Sequence, residues 1–169
     1  MPLPNFKTMS ISEIKDYFDV GEDTPLDLIK LLGQLNVSAL PKNLDELAPN
    51  KSAKSVLLTS ESGRVAIFYD ERLIDGEFSE NPVIVQTLVH YMLTDDKVFY
   101  ITPRSAFSNR EQEMVFELLM PKNQVKEMLD KLILPTTYSL SKIFRVPQEF
   151  VRKRLAAMNI TKNIAEYNY

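Results

Sequence analysis

At 169 residues, with 44% hydrophobic and 25% charged side chains and only 4 glycines, the chain has the make-up of one globular domain, with room for a small appended unit, and not of a collagen-like or disordered polymer. It has no Cys and a single His, which excludes a disulfide framework and a thiolate metal centre and leaves little for nucleophile–His chemistry. The formal net charge of −3 is unevenly spread: Lys7, Lys15, Lys30 and Lys42 face eight acids in residues 1–50, whereas Lys142, Arg145, Arg152, Lys153 and Arg154 face only Glu149 in residues 139–160.

The start, Met1-Pro2-Leu3-Pro4-Asn5, has neither the basic residues nor the apolar stretch of a signal peptide. No apolar run approaches the ~20 residues that span a bilayer. A soluble, cytoplasmic protein is therefore expected. A first helix is predicted over 12–18, capped by Ser10 or Ser12, with Ile14, Tyr17 and Phe18 on one face. Thr24-Pro25, a cap followed by Pro, opens a second helix on Leu28, Ile29, Leu31, Leu32 and Leu35, which Asn36 stops. Val37 to Leu40 read as a short strand, and 41–54, polar with two Pro, as a loop. Residues 55–59 and 64–69 form a hairpin around Glu61-Ser62-Gly63. After a polar excursion over 70–81, Pro82 opens a helix that is apolar nearly all round and therefore buried, 82–94. Helix 108–119 follows, capped by Ser108 or Asn109 with Glu111 in its first turn. Met120-Pro121 ends it, and helix 122–132 comes next. Residues 139–160 divide into two short helices about a Val146-Pro147 turn, the outline of a helix-turn-helix, with Phe150, Val151, Leu155 and Met158 as the second helix's apolar stripe. The tail from Thr161 to Tyr169 is expected to be loosely held.

Two segments carry a family resemblance. One is Glu117-Leu118-Leu119-Met120-Pro121; the other runs from Leu140 through Phe144-Arg145-Val146 to Val151-Arg152-Lys153-Arg154-Leu155. With the order of elements before them, they make residues 24–160 resemble the ImmA/IrrE family of zinc-dependent endopeptidase domains. Those proteins cut or control repressors and regulators in bacteria and their mobile elements. The resemblance implies a zincin-like fold with a His-Glu-x-x-His motif on the buried helix. Its two His, one turn apart, hold zinc, and the Glu serves as general base. The matching stretch here is Gln86-Thr87-Leu88-Val89-His90. Gln86 offers a neutral amide in place of an imidazole, Thr87 has no usable proton-accepting pKa near neutrality, and only His90 remains. The family's third ligand, a Glu on the next helix, falls at Arg110 without a gap. A three-residue deletion moves it to Glu113, about 300° round the helix and so facing a similar direction. Asp95 and Asp96 are neighbouring carboxylates with no spacing rule that selects them. Apart from the family, a lone His on an apolar helix reads as a hydrogen-bonded core residue. There is no Gly-rich phosphate loop and no carboxylate pair at a catalytic spacing.

These observations give an α+β fold: a mainly helical, zincin-like domain with a small antiparallel sheet over residues 1–135, and a helix-turn-helix-like helical pair over 136–169 packed on it. The expected function is that of a catalytically inactive metallopeptidase-like protein. It holds no zinc, unlike active relatives, and binds a helix-turn-helix repressor or regulator, one of a phage or mobile element for example, so as to shift its equilibrium without cutting it. Gln86, Thr87, His90 and Arg110 or Glu113 are then remnants of a metal site lining one cleft. One alternative is an active metallo-endopeptidase with a rearranged site. Another is a nucleic-acid-binding regulator using the basic 139–160 unit, weakened by the small number of cations for such a footprint.

Overall fold

The computed structural model describes residues 3–20, 26–49 and 51–160. Its helices start where their caps dictate. Helix α1 (Ile11–Tyr17) begins behind a capping box in which Ser10 accepts from the Glu13 backbone and Glu13 from that of Ser10. Helix α2 (Leu28–Leu35) is capped by Asp27 and stopped by Asn36, whose φ of 54° is left-handed. The Thr24-Pro25 start lies outside the described residues. Strand β1 (Val37–Lys42) follows, and then, where a loop was expected, the short helix α3 (Leu44–Leu47) with Asn43 as its cap.

Strands β2 (Ser55–Thr59) and β3 (Val65–Asp70) form the expected antiparallel hairpin, with Gly63 supplying a positive φ of 83° at the turn. A 3-10 turn, Glu71–Asp75, fills part of the polar excursion. Asp70 caps it, and its carboxylate also meets the Arg72 guanidinium, which holds the carboxyl below its usual range. Helix α4 (Glu80–Leu93) begins two residues before Pro82, which therefore sits in the first turn, where the missing N–H costs nothing. After it comes strand β4 (Val98–Ile101), which the sequence reading did not include. The sheet order is β1-β3-β2-β4, with β2 antiparallel to both neighbours but β1 parallel to β3. The sheet is thus mixed, and the expectation of an antiparallel one is corrected. The crossover from β1 to β3 through α3 and β2 puts those two strands in the same direction, a pairing that no local pattern encodes.

Helices α5 (Asn109–Leu119), with a Ser108–Glu111 capping box, and α6 (Lys122–Lys131) precede the pair α7 (Thr137–Phe144) and α8 (Gln148–Ala157). Leu140, Phe144, Val146, Val151 and Leu155 belong to the same buried cluster as Leu57, Ile67, Leu88, Met114 and Leu118. The C-terminal pair therefore shares the core of the rest of the chain. A second, small cluster, Leu44, Ala48, Ala53 and Val56, lies on the opposite face of the sheet under α3. Among the described residues no helix is long and apolar enough to cross a membrane.

Candidate functional site

Helix α4 lies with its apolar body in the core and packs along α5. His90 stands where the two meet. Its Nδ1 is 2.7 Å from Glu111 Oε1 and its Nε2 is 2.7 Å from Asp96 Oδ2. The ring is stacked on Phe99 of β4, with centroids 3.6 Å apart and planes 16° off parallel. Both ring nitrogens are thus engaged by carboxylates, one from each side of the ring. The Glu111 carboxylate is divided between two tasks: Oε1 faces His90, and Oε2 accepts from the Ser108 backbone at 2.8 Å. Capping fixes the α5 start, and the same side chain then fixes the imidazole.

The other positions singled out in the sequence are dispersed. Thr87 is fully buried and faces the sheet, where its hydroxyl meets Ser55 Oγ at 2.7 Å and donates to the Val83 carbonyl at 2.7 Å. Arg110 turns towards the N-terminal segment and donates to the carbonyls of Phe6, Lys7 and Met9. Glu113 is exposed. The α5 residue that reaches His90 is therefore Glu111, lying between the two candidates, and neither Arg110 nor Glu113 hydrogen-bonds to His90. Glu111 could have been found in the sequence by letting the capping acid of α5 also look across to α4.

Gln86 sits one turn before His90 but opens onto a cavity of about 550 Å3 formed where α4, α5 and α8 approach the start of β2 and the end of β4. Val83, Phe107, Phe116 and Phe150 supply its apolar wall, and Ser79, Thr102, Gln112 and Glu149 line it as well. Gln112 donates to the Phe107 carbonyl at 3.0 Å and so holds that wall, while Phe116 and Phe150 pack on one another at 5.4 Å. Lys54 and Lys153 stand at this cavity too.

Behind the cavity the two segments that carry the resemblance meet. Arg154 of α8, only 6% exposed, donates to the Met120 carbonyl at 3.0 Å and to Glu117 Oε1 at 2.8 Å, and lies over the Phe116 ring. Lys15 of α1 takes the other oxygen of Glu117 at 3.0 Å. One carboxylate thereby joins α1, α5 and α8. The remaining C-terminal cations are largely matched as well: Lys142 pairs with Glu77 and Lys153 with Glu149. Arg154, expected on a solvated basic face, is instead buried in this clamp.

A zinc ion of the kind the resemblance implies needs about three protein ligands around one point. The residues present do not fit it. Gln86 is a poor donor, Thr87 is turned into the sheet, Arg110 is a cation, and the two nitrogens of His90 face two different carboxylates. Among the described residues no group of three or more His, Cys, Asp or Glu is arranged to hold a metal ion. Comparison of the chain with family models, with curated proteins and with solved structures gives no match.

Proposed function

We propose that the protein is a non-catalytic counterpart of the ImmA/IrrE-like metallopeptidases that binds a transcriptional repressor or regulator and biases its state without cutting it. One observation carries the reading. At the place between α4 and α5 where metal-holding side chains would converge, His90 is spent on Glu111 and Asp96, while the adjoining cavity beside Gln86 stays open and aromatic-walled. Grip on a protein segment and cleavage of its backbone depend on different residues. A cleft can thus keep the first after the second has gone. A partner that fits only one conformation of the regulator shifts the equilibrium by its differential affinity alone.

The nucleic-acid reading is less well supported. A DNA footprint needs a cluster of exposed cations that can displace counterions; Arg154 of the basic unit is buried against Glu117, and Lys142 and Lys153 stand beside Glu77 and Glu149, whose charge opposes a phosphate backbone. The active-peptidase reading needs a general base on α4, and Thr87 supplies none.

The test is site-specific photo-crosslinking in the native host, with a benzophenone amino acid at position 86 and a control at the remote, exposed position 29. The expected product at position 86 is an intact helix-turn-helix regulator, absent at position 29, whose reporter output changes when this protein is depleted. A cleaved regulator, or the same products from both positions, would overturn the proposal.

A further inference from the structure

We infer that the cavity beside Gln86 is a recognition pocket for an extended peptide segment in which one large apolar or aromatic side chain is flanked by acidic residues. The inference rests on the proposed function and names the chemistry by which the partner is recognised.

Three features of the pocket select that class. The first is its volume and walls. About 550 Å3 bounded by Val83, Phe107, Phe116 and Phe150 lies within the range of sites that enclose a small ligand or a few residues. The walls are pre-formed rather than loose. Phe107 is held edge-on to Phe99 at 6.1 Å and its backbone is tied to Gln112, while Phe116 and Phe150 brace one another. An aromatic or branched apolar side chain gains most from such a slot.

The second is the floor. The Gln86 amide carries a donor and an acceptor side by side and makes no hydrogen bond to a described residue. A peptide unit presents the matching pair, one C=O and one N–H. A hydrocarbon ligand would leave the amide unsatisfied, at a cost that disfavours it.

The third is charge. Lys54 is exposed and has no ion-pair partner among the described residues. The other cation, Lys153, is shared with Glu149 at 3.2 Å, and both side chains are more than half exposed, so the pair is screened and readily exchanged. Glu149 lines the pocket as well, so the margin carries two cations against one acid, and its net positive charge is that of Lys54. An acid beside the buried side chain complements Lys54, and one on its other side can take the place of Glu149 on Lys153. A nucleic acid strand would offer the charge but not the branched apolar anchor, and among the described residues lining this pocket it finds one uncommitted cation.

The experiment uses the full chain and three end-blocked, fluorescein-labelled pentapeptides read by fluorescence anisotropy. They are Ala-Asp-Phe-Asp-Ala, its Ala-Asp-Ser-Asp-Ala control and its charge-reversed form Ala-Lys-Phe-Lys-Ala. The first should bind saturably, and each of the others at least about tenfold more weakly. Lys54→Glu should weaken the acidic peptide at least about tenfold and strengthen the charge-reversed one. Val83→Trp, which fills the cavity from a half-exposed helix position, should abolish both while leaving the thermal melt in place. No saturable binding of the acidic peptide, equal binding to Lys54→Glu, or full displacement by a thymidine oligonucleotide would overturn the inference. If a regulator is captured at position 86 but the peptides ignore Lys54→Glu, the acidic–apolar chemistry is overturned and the proposed function stands. If the peptides behave as expected and no regulator is captured, the pocket stands and the proposed function is overturned.

Discussion

Arg154→Met probes the clamp between the two segments that carry the family resemblance. Methionine keeps most of the aliphatic stem and the volume, so the loss is that of the guanidinium. Three contacts go with it: the hydrogen bond to the Met120 carbonyl, the charge-assisted bond to Glu117, and the stacking on Phe116. Removing one partner of a buried ion pair costs about 3–5 kcal/mol when the other charge is stranded. Here Glu117 is 15% exposed and keeps Lys15, so the lower end applies, about 3 kcal/mol. For a chain of this size that lowers Tm by about 6–12 °C. Urea unfolding followed by far-UV circular dichroism measures it directly. The double variant Glu117→Gln with Arg154→Met should lose at least about 1 kcal/mol less than the two single changes together, because the shared contact can be lost only once. Additive losses, or a change of less than about 1 kcal/mol for Arg154→Met alone, would refute the clamp.

Four further outcomes are expected. Asp70→Asn keeps a capping oxygen for the 3-10 turn but loses the charge that pairs with Arg72, so the variant should lose a little stability near neutrality. Because Arg72 holds the folded-state carboxyl below its usual range, that stability is fully present above the unfolded pKa and fades as pH falls through the lowered one, so parent and variant melts should converge in acid. His90→Ala leaves Glu111, 8% exposed, without its ring partner and uncovers Phe99, which should cost about 2–3 kcal/mol by chemical denaturation. Elemental analysis of the parent protein should find no stoichiometric zinc; one tightly held equivalent that His90→Ala releases would contradict the side-chain contacts described here. Arg110→Ala removes three hydrogen bonds to the carbonyls of Phe6, Lys7 and Met9, and amide hydrogen exchange should quicken around the 3-10 turn Phe6–Thr8 before it changes in α4.

The helices were legible because their signals are local. Ser10, Ser108 and Asn36 act as cap, cap and stop within three or four residues of the groups they bind, so a reading in chain order finds them. The C-terminal pair was legible for the same reason, since Leu140, Phe144, Val151 and Leu155 keep a helical spacing and all are buried. The sheet was legible only in part. The β2–β3 hairpin announces itself through Gly63, but β1 runs parallel to β3, a partner more than twenty residues away, and nothing within β1 states which neighbour it will take or in which direction. Val98 to Ile101 is a run of β-formers that could have been read as a strand, yet four residues between two helices hold too little period to distinguish strand from loop.

The site shows the same limit at finer grain. Counting along the chain leads to Arg110 or Glu113, and the residue that meets His90 is Glu111. One position on a helix is a turn of about 100°, so a shift of one residue changes the neighbour completely. Arg110 then faces the N-terminal segment while Glu111 faces α4. Glu111 was visible only as an acid in the first turn of its helix, because a local reading assigns one task to a side chain that has two oxygens. By contrast, Arg154 meets Glu117 and Met120 in space, and Met120, Val151 and Leu155 belong to one buried core. Their identities are set by packing and by one shared carboxylate, which no catalytic step requires. They can persist in a sequence whatever residues stand at the positions beside His90. The open cavity beside Gln86, not His90, is where the function proposed for this chain is to be tested.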